Sequence, residues 1–132
     1  MDIAPIFAPY AGVALLLMRL MLAATFGFSG WSHITHLEAR AKSIGLSKSV
    51  TLFVGLAELA GALGMATGVL ARWAAIGLIL VMLGAIQKKI FVWKTGFWGQ
   101  SSQGWHYELL FIVMNLVILC VGPGSLVIPF LS

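Results

Sequence analysis

The most informative property of this 132-residue chain is how little charge it carries. Only 9% of its residues are charged, whereas 61% are hydrophobic, and the mean hydropathy is +1.03. A water-soluble domain has charged residues at about 25% of its positions. Because so few charges cannot cover a globular surface in water, the composition excludes an ordinary soluble domain and predicts an integral membrane protein.

Two further absences narrow the class of protein. Cys120 is the only cysteine, which excludes an intramolecular disulfide and a CxxC redox pair. Asp2 is the only charged residue before the first apolar run, so the basic region of a signal peptide is missing. We therefore expect the first apolar segment to remain in the protein as a membrane span.

Apolar runs divide the chain into four segments, each close to the roughly 20 residues that a membrane-spanning helix needs. We predict spans at 12–32, 50–69, 73–92 and 105–122, within a single integral membrane domain covering residues 1–132. The predicted fold is an all-α membrane protein, an antiparallel bundle of four transmembrane helices. Tryptophans mark the predicted span ends, as interfacial residues do: Trp31, Trp73, Trp93, Trp98 and Trp105.

Local signals predict where the spans begin and end. Ser47 or Ser49 can cap the second span, Gly68 opens a tight hairpin, and the sequence GPGS at 122–125 ends the fourth span. The apolar tail, 126–132, is expected to return to the membrane interface. For the long connection, 35–48, an interfacial helix and a solvated loop are equally favoured.

The distribution of basic residues predicts the orientation of the chain in the membrane. Only Arg72 lies on the side of the second connection, and the other loop residues lie in the first and third connections: Arg40, Lys42, Lys48, Lys88, Lys89 and Lys94. The positive-inside rule places loops 1 and 3 in the cytoplasm and both termini outside. Attraction of basic loops to anionic lipid accounts for the net charge of +4, so no nucleic-acid partner is expected.

Three charged residues fall inside the predicted spans: Arg19, Glu58 and Glu108. An isolated charge at the bilayer centre costs roughly 2.5–3.5 kcal/mol on insertion scales. We expect these side chains to point inward, with Glu58 and Glu108 neutralising Arg19. His33 joins them, so that Arg19, His33, Glu58 and Glu108 form an intramembrane polar cluster open towards loops 1 and 3, with Arg19 at its floor.

Further residues are predicted to line a ligand pocket around this cluster. They are Phe26, Gly30, Trp31, Gln87, Lys88, Trp105, His106 and Asn115. A buried Arg–Glu pair that only fixes helix register and a functional site are equally favoured. His33 and His106 have no second ligand on the same helix face, so no metal site is predicted. The residues leave open whether the protein is an enzyme.

The order of these features resembles the DoxX family of small four-helix bacterial membrane proteins. The resemblance lies in LLMRLMLAATFGFSGWSHI in span 1, GLAELAGALGMATGVLARWAAIGLIL in spans 2 and 3, and WHYELLFIVMNLVILCVGPGSLVI in span 4. Two positions depart from the family pattern. His33 stands where members usually have lysine, and Ser47 stands where they often have proline.

This resemblance implies a link to respiratory or redox chemistry in the bacterial inner membrane. Founding members are associated with a thiosulfate:quinone oxidoreductase or a terminal quinol oxidase assembly, and others with quinone or oxidative-stress resistance. The leading hypothesis is therefore a small subunit or quinone-site component, with quinone as ligand and a redox protein as partner. A small-molecule or proton-coupled transporter, as a homodimer in the lipid membrane, and a structural or assembly subunit are the alternatives.

The orientation can be tested by cysteine labelling at residues 3 and 44, in a chain whose Cys120 is replaced by serine. Loops 1 and 3 contain six basic residues and loop 2 contains one, which predicts that both termini lie outside. Residue 3 should therefore react with a membrane-impermeant reagent in intact cells, and residue 44 should not. The opposite labelling pattern would contradict the predicted orientation.

Overall fold

The structure, a computed structural model, describes residues 2–99 and 104–128, and most of these residues are helical. The described helices are α1 (Ala4–Phe7), a 3-10 turn (Ala8–Tyr10), α2 (Ala11–Thr35), α3 (Leu37–Ile44), α4 (Lys48–Thr67), α5 (Ala71–Gln87), a π-helix (Lys88–Val92) and α6 (His106–Val121). Each of the four predicted spans is thus helical along most of its length.

Within the described residues, three helical stretches are long and apolar enough to cross a membrane: Ala4–Thr35, Lys48–Thr67 and Ala71–Val92. The fourth apolar helix, α6, has 16 residues, which gives a length of about 24 Å. The hydrocarbon core of a bilayer is about 30 Å thick, so α6 by itself is shorter than the core.

The helix ends follow from their local sequences. The Ser47 hydroxyl accepts a hydrogen bond from the amide of Val50 at 3.2 Å, which caps α4 as predicted. Gly68 ends the same helix with φ of 81°, a left-handed conformation that favours glycine. The connection between α2 and α4 contains the helix α3, in which Ala41 is buried, so a helix is the correct alternative there.

Glycines allow neighbouring helices to pack with their backbones almost in contact. A Cβ atom at Gly30 of α2 would lie 2.7 Å from the carbonyl oxygen of Gly55 of α4. On the other face of α4, a Cβ at Gly64 would lie 2.9 Å from the Cβ of Ala74 of α5. Small residues therefore create these close contacts within one chain.

The core is built from side chains of all four long helices. Leu22, Met65, Leu78 and Ile118 come from α2, α4, α5 and α6 respectively, and each is at most 1% exposed. Large apolar side chains also cover much of the outer surface, which is the distribution expected for helices surrounded by lipid.

After α6 the chain turns back across one end of the helices. We call residues 122–128 the C-terminal strap. The amide of Ile128 donates to the carbonyl of Thr67, the last residue of α4, at 2.9 Å. Gly124 of the strap lies against Leu15 of α2. The strap ties α6 to α2 and α4, whereas residues 129–132 of the predicted interfacial tail lie outside the described residues.

The contact between α2 and α4 can be tested with Gly30→Ala. The added methyl group would meet the Gly55 carbonyl and the Leu59 amide, at 2.7 and 3.0 Å. Because backbone atoms cannot move aside as a side chain can, we expect a loss of roughly 1–3 kcal/mol in the free energy of unfolding. SDS titration of the purified protein in mixed micelles measures this change.

Gly77→Ala is the matched control, because nothing lies within 4 Å of the added Cβ. Alanine is the better helix former by up to about 1 kcal/mol, so this variant should be at least as stable as the unmodified protein. Equal stability of the two variants would show that α2 and α4 do not pack at Gly30.

Candidate functional site

Among the described residues, two pairs of acidic and basic side chains lie largely buried near the end of the helices that adjoins residues 36–47, 93–99 and 104–105, which we call the basic end. We call them the ion pairs, of which the first is ionic when His33 is protonated. In the first, His33 Nδ1 of α2 lies 3.4 Å from Glu58 Oε1 of α4, with side chains 7% and 3% exposed. In the second, Lys89 Nζ of the π-helix lies 2.8 Å from Glu108 Oε1 of α6, with side chains 14% and 7% exposed. Each pair connects two helices.

The glycine contact between α2 and α4 brings the first pair together. A Cβ at Gly55 would lie 2.9 Å from the Cβ of His33, so the imidazole starts directly against the backbone of α4. Glu58 follows Gly55 by three residues and therefore lies on the same face of the helix. His33 Nδ1 is also 2.7 Å from the carbonyl oxygen of Ser29, which fixes the orientation of the ring.

A change of helix type accompanies the second pair. The backbone passes from α to π geometry at Lys88–Val92, a rare form often found at functional sites. Lys89 lies in this segment, and its Nζ atom also approaches the Gly104 carbonyl at 3.4 Å and the Tyr107 ring at 5.7 Å. The lysine thus bonds to α6 and to the residues that precede it.

The sequence-based prediction places Lys88 in the pocket and omits Lys89, which pairs with Glu108. The sequence contains a pattern that points to Lys89, because Lys89 follows Ala75 and Met82 at intervals of seven residues and so shares their helix face. In the structure, Ala75 and Met82 are buried. Lys88 points elsewhere, and its Nζ lies 3.9 Å from the position that a Cβ of Gly45 would occupy. It therefore approaches the C-terminal end of α3.

The prediction that a glutamate neutralises Arg19 is wrong. Arg19 is fully buried, but among the described residues it forms no ion pair with Glu58 or Glu108. One terminal nitrogen donates to the carbonyl of Met65 at 3.2 Å, and the other donates to the carbonyl of Leu126 in the C-terminal strap.

The positions of Glu58 and Met65 along α4 explain why Arg19 does not meet Glu58. Met65 follows Glu58 by seven residues, which is about 10.5 Å along α4, so Arg19 lies beside the last turn of α4. Carbonyls in a last turn have no intrahelical donor and carry the negative end of the helix dipole. Gly68 leaves room for the guanidinium, because a Cβ there would lie 2.6 Å from Arg19 Nη1.

Arg72 also bonds to a carbonyl in the last turn of a helix, at the same end of the bundle as Arg19. Its Nε donates to the carbonyl of Leu119, in the last turn of α6, at 3.1 Å. The two arginines therefore cap the C-terminal ends of α4 and α6, away from the two ion pairs. The four residues predicted to form one polar cluster are divided into a capping arginine and two ion pairs at the basic end.

An aromatic row lies between the helices that carry the ion pairs. The ring of Phe26 packs edge-on against Phe111 with centroids 5.5 Å apart, and Phe111 packs against Tyr107 at 4.9 Å. The Tyr107 ring also lies beside the second ion pair, with its centroid 5.7 Å from Lys89 Nζ. The aromatic row thus places an apolar surface next to the Lys89–Glu108 pair.

The other predicted pocket residues are distributed around this region. Asn115 is fully buried below the aromatic row, and its amide nitrogen donates to the Phe111 carbonyl at 2.8 Å. Trp105 packs on Phe97 in the preceding loop, and His106 Nδ1 bonds to the Phe97 carbonyl at 2.8 Å. Two further predicted residues, Trp31 and Gln87, are exposed on the outer surface of the helices.

A groove of about 610 Å³ lies on the outside of α4 and α5. It is lined mainly by small and apolar side chains, including Ala60, Gly64, Trp73 and Gly77, and none of the predicted pocket residues contributes to it. The groove is thus separate from the buried ion pairs.

Apolar helices with ion pairs buried between them define a multi-pass integral membrane protein. The model of the DoxX family matches residues 14–94, so the chain belongs to the DoxX family. The matched region includes Arg19, His33, Glu58 and Lys89 and ends before Glu108. No curated protein and no solved structure matches the chain.

Two double-mutant cycles test this arrangement of charges. Because Lys89 and Glu108 are in contact, Lys89→Met and Glu108→Leu should show a coupling energy of roughly 1–3 kcal/mol in the free energy of unfolding. Arg19→Met and Glu58→Leu remove groups that do not meet, and their coupling should lie within about 0.5 kcal/mol of zero. Similar coupling in both cycles would contradict the division into separate groups.

Proposed function

We propose that this protein is a small integral subunit or quinone-site component of a membrane redox or oxidative-stress system. The observation that carries the proposal is the presence of two ion pairs, His33–Glu58 and Lys89–Glu108, at one end of the helices, with the Tyr107 ring of the aromatic row beside the second pair. Buried ionisable groups inside membrane helices are costly and are commonly functional. The redox association implied by the family resemblance supports the same conclusion.

A quinone fits the chemistry of this region. Its apolar ring and tail are compatible with a lipid-facing bundle, and its oxygens need hydrogen-bonding groups close to aromatic side chains. Phe26, Phe111 and Tyr107 provide the aromatic surface. The ion pairs provide the polar groups, and the chain places both kinds of group at the basic end.

Proton exchange gives the ion pairs a chemical role in this proposal. Interconversion of a quinone and its hydroquinone moves two protons with two electrons, so groups able to accept and release protons are needed beside the ring. His33 with Glu58 and Lys89 with Glu108 are assigned this role. The electrons are assigned to a partner redox protein, because a single cysteine cannot form a dithiol.

The proposed topology has four antiparallel spans in the bacterial inner membrane. Contacts of α2 with α6 and with the C-terminal strap that follows it support this topology, because Phe26 packs on Phe111 of α6 and Gly12 lies against Ser125 of the strap near the other end. Both termini are assigned to the outer side, so the basic end and its ion pairs face the cytoplasm.

Glu58→Gln tests the proposal, since it removes the charge at nearly constant shape. We expect the unmodified protein in detergent to bind a short-tailed hydroquinone, whose hydroxyl groups can donate to a carboxylate, with a dissociation constant in the micromolar range. The variant should bind it at least about tenfold more weakly, or ~1.4 kcal/mol. Isothermal titration calorimetry measures both constants, and thermal unfolding shows that the variant is folded.

Glu38→Gln is the matched control, because this carboxylate is 85% exposed and lies 3.8 Å from Lys48. It should bind the hydroquinone as the unmodified protein does. A folded Glu58→Gln variant with unchanged affinity would favour a purely structural role for the His33–Glu58 pair. Absence of quinone and hydroquinone binding to the unmodified protein would refute the proposed function.

A further inference from the structure

Two buried oxygen atoms on the inner face of α6 have no hydrogen-bond partner among the described residues. They are Glu108 Oε2 and Asn115 Oδ1, and their residues are 5% and 0% exposed. The residues are seven positions apart on one helix face, about 10.5 Å along the axis. The ring of Phe111 belongs to the same face between them.

Both atoms are acceptors. The ionised Glu108 carboxylate has no proton to donate, and one of its oxygens already accepts from Lys89. The Asn115 amide nitrogen donates to the Phe111 carbonyl, which leaves its oxygen as the unpaired atom. A buried acceptor without a donor is unfavourable, and a ligand group that donates to it is bound more strongly for that reason.

Few buried donors of the described residues lack a partner. Among the buried donors, Arg40 Nε and Arg19 Nε have no partner, and Arg19 lies at the opposite end, beside the C-terminal strap. Unpaired acceptors thus outnumber unpaired donors near the ion pairs.

We infer that this site binds the reduced, hydroquinone form of its ligand in preference to the oxidised quinone. The two forms share a ring, but a hydroquinone has two hydroxyl donors whereas quinone oxygens only accept. Glu108 Oε2 accepts from one of these hydroxyl groups. This inference rests on the proposed function, because it specifies the redox state of the same class of ligand.

Three probes that differ only in their oxygen substituents test the inference on the unmodified protein. They are a short-tailed benzoquinone, its hydroquinone and the dimethyl ether of that hydroquinone, which has the ring and both oxygens but no donor. Anaerobic isothermal titration calorimetry in detergent gives the three affinities. We expect the hydroquinone to bind at least about tenfold more tightly than either of the other probes.

Glu108→Gln then assigns the preference to one residue. Glutamine keeps the shape but replaces an acceptor oxygen with a donor amide, so the hydroquinone preference should fall to less than about threefold. Asn115→Leu, which leaves the Lys89–Glu108 pair intact, should retain a reduced preference and covers the case in which Glu108→Gln does not fold. The exposed Glu38→Gln variant should keep the full preference.

The outcomes separate this inference from the proposed function. Equal binding of quinone and hydroquinone, or tighter binding of quinone, would overturn the inference and leave the proposed function in place. Equal binding of the hydroquinone and its dimethyl ether would overturn it too, because the donors would then contribute nothing. If none of the three probes binds, both the inference and the proposed function fail.

Discussion

The hydrocarbon interior of a membrane offers no hydrogen bonds, so a charged group brought into it has to be satisfied by another part of the same protein. This constraint accounts for the arrangement of the polar groups. Arg19 bonds to backbone carbonyls of α4 and of the C-terminal strap. Glu58 and Glu108 each pair with a basic side chain from a different helix. Every one of these bonds connects separate elements, so satisfying a charge also holds the helices together.

At the two ends of the bundle, the buried charged groups have different kinds of hydrogen-bond partner. At the end covered by the C-terminal strap, Arg19 and Arg72 donate to carbonyls in the last turns of two helices. These bonds use the backbone and serve the architecture. At the basic end the partners are side chains that can exchange protons, and Glu108 keeps one oxygen unpaired. The proposed function concerns the basic end alone.

Close packing at glycine residues makes the first ion pair at the basic end possible. The contact of Gly30 with Gly55 brings α2 and α4 so close that His33 and Glu58 can pair across them. The second pair depends on a different device, since Lys89 lies in a π-helical segment that follows α5. Close backbone packing thus brings one ion pair together, and an irregular helix carries a member of the other. The aromatic row of Phe26, Phe111 and Tyr107 lies between α2 and α6.

The helical segments, their apolar character and the inward direction of Arg19, Glu58 and Glu108 follow from the sequence, because composition and helical periodicity are local properties. Which charged residues pair with one another does not follow from the sequence, because pairing depends on how far neighbouring helices are offset along the bundle axis. The sequence contained Arg19 and Glu58 on inward faces, yet α4 places Met65 beside the arginine and Glu58 about two turns away. It also contained the seven-residue spacing that ends at Lys89. Only the tertiary structure, which fixes the offset between helices, decided that Lys89 meets Glu108, that His33 meets Glu58 and that backbone carbonyls receive Arg19.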